Sequence, residues 1–141
     1  MSDEDGYILE DQIGFLLRKA NQRHRLIFTT EVAGEIAPAQ FSALAKLHEL
    51  GTVSQNQLGR LIALDSATIK GVVDRLSAAG LVSSQRSPND ARLSLIGLTA
   101  EGRRTIERLL PVAKHISDLT VASLTEREAA TLTRLLAKIS S

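Results

Sequence analysis

LVSSQRSPNDARLSLIGL, residues 81–98, is the stretch that settles the fold. Two strand-like runs, Leu81 to Arg86 and Leu93 to Leu98, are parted by Ser87, Pro88, Asn89, Asp90 and Ala91. That turn-forming cluster is too polar to be buried, so the runs read as a β-hairpin with a protruding tip. Directly upstream, Asp65 or Ser66 caps a helix whose apolar positions Ile69, Val72, Val73 and Leu76 form one stripe before Gly80 stops it. Ser54 with Gln57 three residues later reads as a capping box, opening a shorter helix that buries Leu58, Leu61 and Ile62. Before that, Pro38 suits the first position of a helix, where its missing N–H is harmless; Phe41, Leu44, Ala45, Leu47 and His48 follow at helical spacing until Gly51.

The flanks are helical as well. Over residues 8–30, Ile13, Leu16, Leu17, Ala20, Ile27 and Phe28 recur at steps of three and four, one face of a long helix. Thr99 opens another, running through Ile106, Leu109, Leu110, Ala113, Ile116 and Leu119, with Pro111 expected to bend it. Thr125 and Glu128 form a second capping box before a last helix carrying Leu132, Leu135, Leu136 and Ile139 on one side.

Composition bounds what such a chain does. Its 141 residues are one domain's worth, and 17 Lys+Arg against 16 Asp+Glu leave a net charge of +1. A hydrophobic fraction of 43% is enough to offset chain entropy, which excludes disorder. No run approaches the roughly 18 apolar residues of a membrane span. The acidic start Met1, Ser2, Asp3, Glu4, Asp5 lacks the basic region of a secretory signal, so the expected location is the cytoplasm, with no membrane partner. With no cysteine, disulfides, zinc–cysteine knuckles, thiol nucleophiles and thiol redox sensing are excluded. An aromatic content of 3% argues against a stacking platform for single-stranded nucleic acid or an aromatic cage.

Three short helices followed by a two-stranded hairpin is the order of a winged helix-turn-helix, a mainly α fold with a small β-hairpin wing. In such a module the third short helix enters the DNA major groove, and the hairpin tip reaches the backbone or the minor groove. The face of that helix opposite its apolar stripe carries Ser66, Ala67, Thr68, Lys70, Gly71, Asp74 and Arg75. Small residues permit close approach, hydroxyls bond phosphate or base edges, and two cations are present. Charge agrees in sign: residues 51–100 carry a small basic excess, residues 1–33 an acidic one. Read blandly, Lys70 and Arg75 are solvated charges on any helix. The wing adds Arg86 at its entry and Arg92 at its exit, with Asp90 placed to orient the Arg92 guanidinium by a bidentate pair. An extended arginine on a narrow hairpin suits the negative minor groove. The bland counterpart is a surface ion pair that stabilises a turn.

The run Arg86-Ser-Pro-Asn-Asp90-Ala-Arg92-Leu-Ser-Leu-Ile-Gly-Leu98-Thr99-Ala-Glu-Gly102 resembles the wing signature of MarR-type transcriptional regulators: an Arg, then Asp-x-Arg, then Leu-Thr-x-x-Gly. Asp74-Arg75-Leu76 and Gly80-Leu81-Val82 match the end of that family's recognition helix and the start of its wing. Two departures stand out. Ala91 occupies a place where many members carry a second Arg, which weakens the expected wing contacts, and Ala37 replaces the usual Thr cap before Pro38, a cost to helix stability alone. The resemblance implies a homodimeric repressor of double-stranded operator DNA: residues 1–33 and 99–141 would be dimerisation helices, residues 34–98 the DNA-binding module, and a small phenolic or aromatic acid would release a pseudo-palindromic operator. The residues support a dimer independently, because the apolar faces of the flanking helices exceed what a winged module of about 65 residues needs, and such a surplus usually meets a partner.

For an effector, His24 lies among apolar residues of the first helix, and His48 ends the second near Phe41. If those helices cross, the two imidazoles, the Phe41 ring and Arg18 or Arg25 line a pocket suited to an aromatic carboxylate. The segment Gly14-Phe-Leu-Leu-Arg18-Lys-Ala-Asn-Gln-Arg-His24 is similar to members controlling aromatic or N-heteroaromatic acid catabolism, the nicotinate-degradation group among them. Two alternatives stay open: satisfied interfacial histidines, and a metal-responsive regulator using His24, His48 and a carboxylate at a spacing that is no recognised ligand motif. No Gly-rich phosphate loop, His-Glu-x-x-His helix or Gly-x-Ser-x-Gly elbow is present, and His24, His48 and His115 are scattered, so neither an enzyme nor a cofactor is expected. A winged-helix protein-interaction module is the remaining rival, against which Arg92 and the Lys70 face favour DNA.

Overall fold

The computed structural model describes residues 6–141; the acidic start at residues 1–5 lies outside the described residues. Six helices, α1 (Ile13–Glu31), α2 (Pro38–Leu50), α3 (Gln55–Leu61), α4 (Ser66–Ala78), α5 (Ala100–Thr120) and α6 (Glu126–Ile139), accompany three strands, β1 (Val53–Ser54), β2 (Val82–Arg86) and β3 (Ser94–Leu98). The chain divides into two units, one spanning Val32–Val112 and the other combining the segment up to Glu31 with Ala113–Ser141. This division falls inside α5.

In the Val32–Val112 unit, the hairpin is in register from Val82 opposite Leu98 to Arg86 opposite Ser94. It gains a third strand that the periodicity did not announce: β1 pairs antiparallel with β3, Val53 opposite Ile96, giving the order β1-β3-β2. Two residues are too few to display alternation. The α4 stripe is buried as expected, Ile69, Val72, Val73 and Leu76 joining Leu44, Leu47, Leu58, Ile96, Ile106 and Leu109 in the core. Leu61 corrects the expected α3 face, because α3 has only seven residues and turns Leu58 and Gly59 inward while leaving Leu61 exposed.

Caps fix the helix starts. Asp65 Oδ1 accepts the Thr68 N–H at 2.8 Å, and Ser54 Oγ accepts the Gln57 N–H at 3.1 Å. Ala37 has no acceptor to offer, but the Gln40 side chain still accepts its N–H at 3.0 Å. Between α3 and α4 the backbone comes close enough that a Cβ on Gly59 would lie 3.1 Å from both the Leu64 carbonyl and Ile69 Cγ2, and Ala63 turns the chain at φ 62°.

The end of α4 and the start of α5 are tied together. Gly80, at φ 77°, closes α4 in a Schellman motif: its N–H goes to the Ser77 carbonyl at 3.0 Å and that of Leu81 to Leu76 at 2.9 Å. The Thr99 hydroxyl donates to the Gly80 carbonyl at 2.7 Å and accepts the Gly102 N–H at 3.0 Å, while the Thr99 N–H reaches the Leu81 carbonyl at 3.1 Å. Gly102 packs directly on that Leu81 carbonyl, where a methyl group has no room. Arg108 forms a two-pronged pair with Glu35, and its guanidinium holds the Glu35 carboxyl below its ordinary range.

In the other unit, the helix expected over 8–30 is broken at Gln12. A 3-10 turn, Leu9–Asp11, precedes α1, and the Gln12 amide donates to the Ile8 carbonyl at 2.9 Å. Arg23 of α1 donates to the Thr120 carbonyl at 2.8 Å, satisfying the C-terminus of α5. Pro111 lies inside α5 without ending it. Thr125 and Glu128 make both halves of the expected capping box. The α6 helix buries no residue, and Leu135 and Ile139 are 43% and 61% exposed, with Ile13 of α1 at 66%.

Gly102→Ala is expected to destabilise the fold by about 3 kcal/mol, since a backbone carbonyl cannot yield as a side chain does. Thr99→Val, which keeps the shape and loses both hydroxyl bonds, should cost about 1–2 kcal/mol. Urea denaturation checks both; an unchanged midpoint for Gly102→Ala would contradict the close approach.

Candidate DNA interface and effector-binding residues

Because Ile69, Val72, Val73 and Leu76 consume one side of α4, the other side is left to solvent, and Ser66, Ala67, Thr68, Lys70, Asp74 and Arg75 are all exposed on it. Gly71, half-buried, leaves room for the Arg75 guanidinium to lie back along the helix: a Cβ there would stand 3.4 Å from Arg75 Nη2. Lys70 is tied to Asp74 at 3.0 Å, one turn on. Thus the two cations expected on this face differ, one paired with a carboxylate and one not.

At the wing, the Asp90–Arg92 geometry is the expected one. Arg92 Nε donates to Asp90 Oδ1 at 3.1 Å and Nη2 to Oδ2 at 3.2 Å, while the Arg92 backbone N–H also reaches Oδ1 at 3.0 Å. The Arg92 side chain nevertheless stays 90% exposed, extended and oriented at once. Those hydrogen bonds hold the Asp90 carboxyl below the usual carboxylate range. Ser87 Oγ accepts the N–H groups of Asn89 and Asp90, which closes the tip. Arg86 plays a bracing part that its sequence position did not disclose, its Nη1 donating to the Ala91 carbonyl. The contact uses the backbone of residue 91, so the alanine there does not disturb it.

The effector candidates do not all converge. Arg18 and Arg25 share one face of α1 with Phe15 and Leu26, forming an open groove. Arg18 stands 5.6 Å and Lys19 5.8 Å from the centre of the Phe15 ring. His24 is turned away from that face, its Nδ1 lying 2.8 Å from Thr120 Oγ1. Since the Thr120 hydroxyl donates to the Ile116 carbonyl at 2.8 Å, it accepts from His24, which makes Nδ1 the protonated nitrogen and leaves Nε2 as the other face of the ring. In the Val32–Val112 unit, Phe41 and His48 are half-buried on α2, and His48 Nε2 lies 3.3 Å from Glu107 of α5. The sequence does not single out Glu107, Thr120 or Phe15 as contact residues; the first two act across long separations that no local pattern signals. Among the described residues, no cluster of three or more His, Cys, Asp or Glu is arranged to hold a metal ion. No helix among them is long and apolar enough to cross a membrane.

The profile of the MarR family matches residues 36–94, which contain the helix-turn-helix and the wing tip. The chain is similar, at 37% identity over 138 residues, to the HTH-type transcriptional repressor NicR of Pseudomonas putida, an alignment covering 97% of this chain and 87% of NicR. The chain belongs to the MarR family. It is a winged-helix transcriptional regulator. Two solved structures of the family resemble it over nearly the whole length. Bordetella bronchiseptica BpsR, whose DNA binding is regulated by 6-hydroxynicotinic acid, has 35% identity and a TM-score of 0.92 over 96% of this chain and 97% of that one. Streptomyces coelicolor PcaV, solved with its natural ligand, has 31% identity and a TM-score of 0.91 over 99% and 97%.

A carboxyl depressed in the folded state contributes above its unfolded pKa and loses its contribution as the pH falls through the folded one. Ordering of the wing by Asp90 should therefore persist through neutral and mildly acidic solution. Its carboxyl carbon, followed by NMR, is expected to titrate at lower pH in the protein than in a peptide spanning residues 86–94. Coincident midpoints would remove the pair as the organiser of the tip.

Proposed function

We propose that the chain is a homodimeric repressor in the cytoplasm that binds a pseudo-palindromic operator and releases it when a small aromatic acid binds. The observation that carries this reading is the exposed Arg92 guanidinium held rigid by Asp90 on a braced wing, in the same unit as the exposed polar face of α4. A preorganised cation loses less side-chain entropy on meeting DNA. In this reading α4 enters the major groove: Ser66, Ala67 and Thr68 near its start read bases, Lys70 and Arg75 contact phosphate, and Gly71 permits close approach. The Arg92 wing enters the narrow minor groove, with Arg86 and Asp90 shaping it. A second copy covers the exposed apolar faces of α1 and α6, placing two winged units on the two half-sites.

The effector reading rests on the chemistry of Arg18, His24, Arg25, Phe41 and His48, and on relatives that answer to 6-hydroxynicotinic acid or hold a natural ligand. On α1, Arg18 and Arg25 offer cations for a carboxylate and His24 an imidazole for a polar ring substituent; in the Val32–Val112 unit, Phe41 offers an aromatic face and His48 a second imidazole. A ligand shifts the equilibrium only by its difference in affinity between the DNA-competent state and another.

Two measurements test the two halves. Arg92→Ala should weaken operator binding roughly 10- to 100-fold in matched salt, with the loss felt at both wings of a dimer, and Asp90→Ala should act in the same direction but less. Operator affinity equal to the parent's for Arg92→Ala would remove the wing from the interface. His24→Ala and His48→Ala should each retain operator binding and lose release by the aromatic acid, read in an operator titration with 6-hydroxynicotinate and related acids present. Release by both variants at the parent's concentration would place the effector elsewhere.

A further inference from the structure

Side-chain partners sort the cations of the Val32–Val112 unit into two groups. Lys46, Lys70, Arg92, Arg104 and Arg108 are each paired with a carboxylate, and Arg86 is spent on the Ala91 carbonyl. Among the described residues of this unit, Arg60, Arg75 and Arg103 carry neither an ion pair nor a hydrogen bond through their side chains. Arg75 lies back along Gly71 and Arg103 is on α5. Arg60 is different, since it lines a notch with Asn56 and Gly59 of α3 and with Asp65 and Ser66 at the start of α4. Asn56 and Arg60 are four residues apart on one exposed face of α3, and Asn56 is likewise without a side-chain partner. Gly59 makes the juxtaposition possible, because any side chain there would meet the Leu64 carbonyl and Ile69 and push α3 off α4.

We propose that Arg60, assisted by Asn56, is a phosphate anchor that sets the register of α4 on duplex DNA. The inference rests on the DNA-binding reading above and adds a residue that reading does not use. A lysine ammonium tied to an exposed carboxylate loosens that pair to meet a phosphate, and the carboxylate then repels the backbone; Lys70 with Asp74 is such a case. Arg60 has no partner to surrender, so it neutralises a phosphate fully and releases its counterion. The start of α4 itself does not take that phosphate, because the Asp65 carboxylate caps it, accepting from Thr68. The anion is held from the α3 side instead, at the notch that Ser66 also lines, and a contact there positions without reading sequence.

The test is a salt titration of the full-length protein on a fluorescein-labelled mixed-sequence 30-base-pair duplex, where backbone contacts dominate. Arg60→Ala should make the plot of log affinity against log salt shallower by about two for a dimer, one contact per half-site, with the melting temperature unchanged. Arg60→Lys should restore most of the slope, and Asn56→Ala should lower affinity while leaving the slope in place. A parent that binds steeply and an Arg60→Ala variant with the same slope and affinity would overturn the anchor while leaving DNA binding intact. A parent that does not bind the duplex at low salt would overturn the DNA reading, and the anchor with it.

Discussion

The Thr99 hydroxyl is the point on which the winged unit turns. Thr99 joins pieces of chain that would otherwise meet at undefined angles: its hydroxyl donates to the Gly80 carbonyl at the end of α4 and accepts from Gly102 in the first turn of α5, and its backbone N–H holds the Leu81 carbonyl. The Leu-Thr-x-x-Gly signature is thus a structural device. Thr99 supplies one oxygen that both donates and accepts, and Gly102 supplies the missing side chain that lets helix and carbonyl touch. Since β2 leaves from this point and β3 returns to it, the direction of the wing relative to α4 is fixed here. A hairpin tip acts at the far end of a lever, so a small change of angle at Thr99 is magnified at Arg92.

Electrostatics refine what the knot positions. Of the cations that sequence patterns single out, Lys70 and Arg92 are already engaged with acids in the free protein, and the two engagements serve different ends. Asp90 grips Arg92 through both guanidinium and backbone, so the charge is aimed while the side chain remains exposed. Lys70 and Asp74 are a flexible, solvent-exposed pair one turn apart, with lysine N-terminal to the acid, the weaker order on a helix. Such a pair exchanges readily with phosphate and adds little fixed geometry. With a net charge of only +1, the chain therefore draws its attraction for DNA from a few oriented groups, not from a bulk field.

Much of this was legible in the sequence because the deciding signals are local. The Asp65, Ser54 and Thr125 caps, the α4 stripe and the Asp90–Arg92 spacing each lie within a few residues, and each appears as read. What escaped depends on distant partners or on backbone. Strand β1 exists because β3 offers Val53 and Ser54 an edge, and nothing in two residues foretells that. Arg86 was read for its charge, whereas its partner is a main-chain carbonyl that no residue type encodes. His24 was grouped with Arg18 and Arg25 by proximity in the chain, yet a helix turns by about 100° per residue and directs it to Thr120 instead, 96 residues away.

The remaining unit poses a problem of cover. An amphipathic helix of 14 residues is marginal alone, and α6 has a complete capping box but no buried side chain to hold it. Its Leu132, Leu135, Leu136 and Ile139, with Ile13, Leu16 and Leu17 of α1, would otherwise keep a large apolar area in water at roughly 25 cal/mol for each square ångström. In the proposed dimer that area supplies the association energy, so folding of these helices and pairing of two copies are one equilibrium. Operator affinity then depends on protein concentration below the dimer dissociation constant even with every DNA-facing residue intact. Any ligand that alters how α1 is held acts on the DNA-binding state through the same equilibrium, without needing to touch DNA.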